Sequence, residues 1–574
     1  MANLKPSPSK ELSMETRLLV AFLLMGAVLF LTPYFYAPNP ASPKEKLANP
    51  PAASAAAGPS APAASAPAPS VSPLAAAGPR AASPAMPLRA VAREEILDPI
   101  ETDLYRIEFT NRGALVKSWV LKKYRDSNGK PLDLVSSEGV KRTGLPLAIH
   151  IRNQWDWPPV NNALFIAQHI DGGYEFEYSD GRTYAKKTIR TRPSSYLLEV
   201  TSELLIDGAP VPHLLTWRGG FGDSTVPSAA ASNHTILYDL VENKLIVNKQ
   251  DHAKNGPQYR SGNFAFAGFE DTYFALVALP PGGTPLELLT INDRIPNREG
   301  KEEPVVGGAL GGSAHNRLTL FVGPKDYTLL KNIDPRLDNL VDFGWTTFIA
   351  KPLFLALKWV NDHWVRNWGW SIVLVTVIIN ILLLPLKLSS LQSMRKMALV
   401  SPEMQLINER YKGLPLNDPR MAQKNQEIMA LYKKHGVNPA GGCLPLLLQF
   451  PFLFAFYAVL SVAIDLRQAQ WLWIKDLSVL DPLYILPVLM VATQFVLQKM
   501  TPVTGGDPAQ QRMLLLMPLI FGFMFLTAMS GLVLYWLTGN VVGIAQQWAF
   551  NKLMPAPAAV APAVRNSPVK RKKA

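Results

Sequence analysis

The chain of 574 residues carries 57 Lys and Arg against 44 Asp and Glu, a formal charge of +13, and 48% hydrophobic residues. It is too long for one ordinary domain and its apolar residues come in blocks, which excludes a single soluble domain and predicts a soluble domain joined to a membrane domain. The single cysteine, Cys443, excludes an internal disulfide, and the positive charges flank apolar blocks, so they read as topology signals and no nucleic-acid function is expected.

Residues 1–17 are polar and form a cytoplasmic N-terminus, and 18–36 are apolar and free of charge. That run exceeds a signal-peptide core and no small-x-small cleavage site directly follows it, which predicts an uncleaved transmembrane anchor. Residues 37–92 form a linker, and between 50 and 79 every residue except Val71 and Leu74 is Ala, Pro, Ser or Gly. Such a composition buries too little apolar surface to offset chain entropy, so it reads as a disordered tether.

From 93 to 340 the pattern becomes short alternating runs, such as Leu104-Tyr-Arg-Ile-Glu-Phe109 and Tyr174-Glu-Phe-Glu-Tyr178, separated by turns such as Ser127-Asn-Gly129 and Ser179-Asp-Gly181. Many strands at this spacing predict a large antiparallel β-sandwich. The domain holds no metalloprotease, nucleophile-elbow or phosphate-loop motif. His150, His169, His213, His234, His252 and His315 are scattered, which suits core or solvated histidines and predicts no metal and no cofactor. Residues 341–367 mix Trp345, Trp359 and Trp364 with Lys351, Lys358 and Arg366, a pattern for an amphipathic helix in the headgroup region anchored by Trp359, Trp364 and Trp368. Pro352 suits it if it falls in the first turn.

Residues 368–550 form the membrane domain, with charge-free runs at 367–386, 436–464 and 482–497, and at 513–551, which is long enough for two spans turning at Ser530-Gly531. With the anchor this predicts six transmembrane helices. The loop 387–435 holds nine Lys and Arg against four acids, the tail 551–574 six with no acid, and the opposite loop 465–481 only Arg467 and Lys475 against three acids. The bias places both termini and the basic loop in the cytoplasm and the β-domain outside. Within the loop, Leu388, Leu391, Met394 and Met397 recur at helical spacing, Gly413-Leu-Pro-Leu-Asn417 interrupts, and Asp418-Pro419 and Gly436 bracket a second helix. This predicts a cytoplasmic helical hairpin, whose Arg395, Lys396, Arg410, Lys412, Lys433 and Lys434 can also meet a ribosome or an incoming chain.

Amides inside spans are costly and so point to function. Asn380, Gln449 and Gln494 lie five or six residues from the cytoplasmic ends of their spans, roughly 7 to 10 Å deep at 1.5 Å per residue. Asn540 is nearer mid-span, and Thr376 lies one turn before Asn380. The outer halves carry no amide and no charge. This one-sided polarity suits a vestibule open to the cytoplasm, and the alternative is that each amide bonds between helices at about 0.6 kcal/mol.

Asn438-Pro-Ala-Gly-Gly-Cys-Leu-Pro-Leu-Leu-Leu-Gln-Phe-Pro451, Asp465-Leu-Arg-Gln-Ala469, Asp481-Pro-Leu-Tyr-Ile-Leu-Pro487 and Ser530-Gly-Leu-Val-Leu-Tyr535 resemble the YidC family of bacterial membrane protein insertases, in the Gram-negative form with a large periplasmic domain. The resemblance implies an ATP-independent insertase and chaperone of the inner membrane. It would act alone or beside the Sec translocon on nascent membrane proteins, in contact with membrane lipids and the ribosome, and as a monomer. It also implies a hydrophilic groove open to cytoplasm and lipid, here Asn380, Gln449, Gln494, Asn540 and Thr376, and an outer β-supersandwich without catalysis. One departure stands out. Most relatives hold an arginine in the groove, and Trp368-Gly-Trp-Ser371 and Pro385 align that position with Asn380; no intramembrane Lys or Arg offers an obvious substitute. Two other classes remain open: a transporter, against which the apolar outer halves argue, and an enzyme built on the β-sandwich, against which the lack of a clustered acid/base set argues.

Overall fold

The computed structural model describes residues 89–226, 233–282, 284–296, 300–414, 418–437, 444–501 and 508–554. The expected anchor, the linker up to residue 88, Cys443 and the tail from residue 555 lie outside them.

The alternating runs fold into three antiparallel sheets. A ten-stranded sheet runs from Lys244–Lys249 through His234–Asp239, Phe264–Glu270, Phe274–Leu279, His315–Pro324, Leu197–Ile206, Thr183–Thr191 and Gly173–Ser179 to Ile166–Ile170, with Ala209–Pro210 paired beside Leu197–Ile206. The five-stranded sheet has the order Gln258–Gly262, Leu286–Pro296, Glu302–Ser313, His213–Trp217, Ile149–Ile151, and a four-stranded sheet takes Leu97–Glu101 to Pro131–Asp133 in sequence order. In Leu197–Ile206 buried and half-buried residues alternate almost throughout, whereas every residue of Phe264–Glu270 is buried. The first strand shows one face to the core, and the second is covered on both. Trp119 and Trp217, from different sheets, meet in the core at 6.2 Å between ring centroids.

His213 is fully buried, hydrogen-bonded to Ser202 at 2.8 Å and to the Val211 carbonyl at 3.0 Å, and burial pushes its imidazole down to about 4. It is a neutral core histidine. Lys187, 1% exposed, reaches the carbonyls of Gly113 (2.8 Å), Ala114 (3.2 Å) and Leu147 (2.7 Å), so one ammonium satisfies three buried acceptors from two loops. Lys187→Met leaves those acceptors unpaired and is expected to cost the β-domain about 3 kcal/mol. Urea unfolding of the full chain followed by tryptophan fluorescence measures it, and an unchanged midpoint would show that the three bonds contribute nothing net.

The helical part begins with α1 (Thr347–Val360), which buries Ala350, Leu353, Phe354, Leu357 and Val360 on one stripe. Pro352 falls inside α1 rather than in its first turn, because a 3-10 turn, Gly344–Thr346, precedes the helix. A π-turn (Asn361–Val365) ends at Arg366 in the left-handed region, and Asn367 accepts a hydrogen bond from the Trp370 amide, opening α2 (Trp368–Leu382) at 114° to the preceding segment. After Leu383 the chain continues as α3 (Leu384–Arg410), with α4 (Arg420–Lys434) folded back on it through Met397, Val400, Met404, Ile407, Leu431 and Tyr432. Then come α5 (Leu444–Val462), α6 (Ile485–Met500), α7 (Pro508–Phe525) and α8 (Ser530–Leu553). Ser530-Gly531 therefore opens α8 instead of forming the turn, which falls at 526–529.

Among the described residues no single helix is long and apolar enough to cross a membrane by itself; the bent pair Gly344–Val365 and Trp368–Leu382 passes only when taken together. Helices α2 and α6, with 15 and 16 residues, are roughly 23 Å long, short of a hydrocarbon core of about 30 Å. The expected count of six spans is therefore not visible as six long helices.

Between α5 and α6 the loop 463–484 lies across one end of the bundle. Its Val479 and Leu477 carbonyls accept the Ser530 and Gly531 amides of α8 at 2.7 and 2.9 Å. Its Gln470 carbonyl accepts the Asn367 side chain at 3.0 Å, its Trp471 packs edge-on against Trp370, and its Asp481 accepts the Leu486 amide of α6 at 2.8 Å. This loop ties together the ends of α2, α5, α6 and α8.

Candidate functional site

Helices α2, α3, α5 and α8 leave a narrow cleft at the α2–α3 break, lined by Ile379, Asn380, Leu383, Leu386, Lys387, Gln449, Phe452 and Tyr535. Its free volume is about 20 Å³, roughly one water molecule. An extended polypeptide enters it only if the surrounding helices part. Asn380 sits near the end of α2, with its amide donating to the Thr376 carbonyl at 2.8 Å. Thr376, fully buried, donates its hydroxyl to the Ile372 carbonyl at 2.6 Å. Gln449 hydrogen-bonds the hydroxyl of Tyr535, whose ring stacks on Phe456 with centroids 4.2 Å apart.

A lysine stands beside Asn380. Lys387 lies seven residues after Asn380, two turns further along the same face, and its ammonium donates to Asn380 Oδ1 at 2.5 Å and to Gln546 Oε1 of α8 at 3.3 Å. Gln546 in turn donates to the Asn380 carbonyl at 3.1 Å. Among the described residues no carboxylate lies within ion-pair distance of Lys387. Two amide oxygens accept from the lysine without neutralising it, in apolar surroundings that disfavour the bare charge and strengthen its pairing with an acidic group. A span counted as charge-free ends at Leu386, which assigns Lys387 to the basic loop. Pro385 falls in the first turn of α3, where proline is tolerated, and the i to i+7 spacing was the available signal.

The other expected groove residues lie elsewhere. Asn540 donates to the Met490 carbonyl and to Thr493 Oγ1, both at 3.2 Å, and Gln494 accepts the Trp536 indole N–H at 3.3 Å. Both bond between α6 and α8 and do not line the cleft of Asn380 and Gln449.

On the α3–α4 hairpin, Arg395 turns back to the bundle, donating to Asn551 Oδ1 at 3.0 Å and stacking over the Phe550 ring at 4.0 Å. Arg410 pairs with Glu427 at 2.8 Å. Lys396, Lys412, Lys433 and Lys434 are exposed. Trp359 and Trp364 are about half exposed and touch each other at 5.0 Å, while Trp368 opens α2.

Residues 359–557 match the family described as 60Kd inner membrane protein, and residues 99–356 match the one described as YidC periplasmic domain. A protein of Geotalea uraniireducens named membrane protein insertase YidC is 34% identical over 512 residues, covering 83% of this chain and 94% of that one. A protein of Wolinella succinogenes with the same name is 49% identical over 261 residues, 45% of this chain and 47% of that one. A crystal structure described as active YidC insertase with its first transmembrane domain resolved aligns with 80% of this chain and 93% of its own, at 20% identity and a TM-score of 0.34. From its β-domain to the end of its helical part, this chain belongs to the YidC family of membrane protein insertases, in the form that carries a periplasmic domain.

Proposed function

We propose that the protein is an ATP-independent insertase and chaperone of the bacterial inner membrane. It has six spans, both termini in the cytoplasm and the β-domain in the periplasm, and acts as a monomer alone or beside the Sec translocon. The observation that carries this reading is the unneutralised Lys387 ammonium, held by Asn380 and Gln546 in a cleft that Gln449 also lines. A nascent membrane protein must bring polar, often acidic, segments through an apolar layer, and a cation flanked by amides offers them a partner where lipid offers none. No covalent step is required. The apolar faces of α2 and α5 guide the transmembrane segment, membrane lipids bound the open side, and the exposed lysines of the α3–α4 hairpin together with the basic tail meet the ribosome.

Depletion of the protein followed by measurement of client insertion tests the function. Photocrosslinking from positions 380 and 449 to a stalled nascent membrane protein tests the site, and absence of a crosslink from both positions would falsify the cleft as the client's path.

A further inference from the structure

The search beyond the cleft leads to Arg467, a loop residue whose charge serves no topology purpose on this side of the bundle. Its side chain is 6% exposed and forms an ion pair with Asp223 of the β-domain, itself 1% exposed. The guanidinium also donates to the Arg125 carbonyl at 3.0 Å and lies over the rings of Tyr273 and Phe274 at 5.0 and 5.5 Å. Next to it Gln468 donates to the same carbonyl at 2.8 Å while held at φ +57°, a conformation a non-glycine residue rarely adopts.

The receiving side is built for this contact. Asp271 accepts the amides of Asp223 (2.8 Å), Tyr273 (2.7 Å) and Phe274 (2.6 Å), so one carboxylate positions both the acidic partner and the two rings. Gly222 lets the chain reach that carboxylate: its φ is +96°, and a Cβ there would sit 1.9 Å from Asp271 Oδ2. Arg467 belongs to the loop 463–484 that ties the ends of α2, α5, α6 and α8, and three of these four helices line the Lys387 cleft.

We propose that Arg467 is a latch through which the β-domain holds the loop 463–484 against the bundle and keeps the bundle closed on that side. The role is conformational. The domains stay attached when the latch opens, because Lys351 of α1 pairs with Asp338, at the end of the β-domain, at 2.9 Å. Nothing in this inference depends on client insertion, so it can fail while the insertase reading stands, or the reverse.

The test uses the full chain in detergent, in a Cys443→Ser background, with Val533→Cys as a reporter in the first turn of α8, where the native side chain is fully buried. Arg467→Ala is expected to raise the rate of modification by a water-soluble maleimide about tenfold, and Asp223→Ala to do the same. Because the two residues act as one pair, the double variant should match either single variant rather than multiply them, and Arg467→Lys should fall between parent and alanine. Spin labels at Asn128→Cys and Leu472→Cys, both exposed in the parent, should show a broader distance distribution in Arg467→Ala. A parental modification rate with a parental distance distribution would overturn the latch, and so would fully multiplicative single effects.

Discussion

Lys387→Gln is expected to cut client insertion by about tenfold or more, the worth of one charge-assisted hydrogen bond in a site shielded from water. The amide is one atom shorter but still offers donors on the side of Asn380 and Gln546, so the bundle should unfold close to the parental temperature while the positive charge is gone. Adding Asn380→Arg to that variant restores a cation at the adjoining position, and insertion should return to within about threefold of the parent, a gap of under 1 kcal/mol. Asn380→Arg alone is tolerated less well than in the double variant, because it sets a guanidinium against the Lys387 ammonium. The loss should be steepest for clients with Asp or Glu in the inserted segment and slight for clients without them. Full insertion by Lys387→Gln would remove the charge from the mechanism and leave the amides alone to hydrate the cleft.

That expectation reverses the sequence's most consequential omission, and the reason is geometric. Depth along a helix can be counted from sequence, but rotation about its axis cannot. Asn380, Gln449 and Gln494 share a depth, yet Asn380 and Gln449 face one cleft while Gln494 turns to Trp536 on α8. Lys387, the first charge after a charge-free run, falls to the loop when spans are counted by charge, although the chain turns only briefly at Leu383 and resumes as α3. The β-domain was readable because a period of two survives in strands such as Leu197–Ile206, and the hairpin because Leu388, Leu391, Met394 and Met397 keep a helical spacing, although the residues packed between α3 and α4 are Met397, Val400, Met404 and Ile407. Arg467 was counted only as a weak topology charge. Its partner Asp223 is 244 residues away, and no local pattern records such a pairing.

Gly369→Val is expected to destabilise the helical bundle by about 3 kcal/mol, near the upper end of the usual cost of overpacking. A Cβ at Gly369 would fall 2.2 Å from Trp471 Cδ1 and Cγ and 2.6 Å from Trp471 Cβ. Because the stem of the tryptophan is involved, a change of rotamer does not relieve the clash. Trp471 is itself fixed by paired backbone bonds with Ile474 at 2.9 and 2.8 Å, so the whole loop must move off α2. That movement breaks the Asn367–Gln470 bond and the Trp370–Trp471 contact, which hold α2 to the loop at its N-terminal end. Gly539→Ala is the matched control on the cleft side: its added Cβ would meet only Gln449 Nε2 at 3.6 Å, an ordinary contact. Thermal unfolding followed by helical circular dichroism should separate the two variants clearly, with Gly539→Ala close to the parent. Equal midpoints would mean that the loop is free to move, and the β-domain would then have no rigid plate to latch.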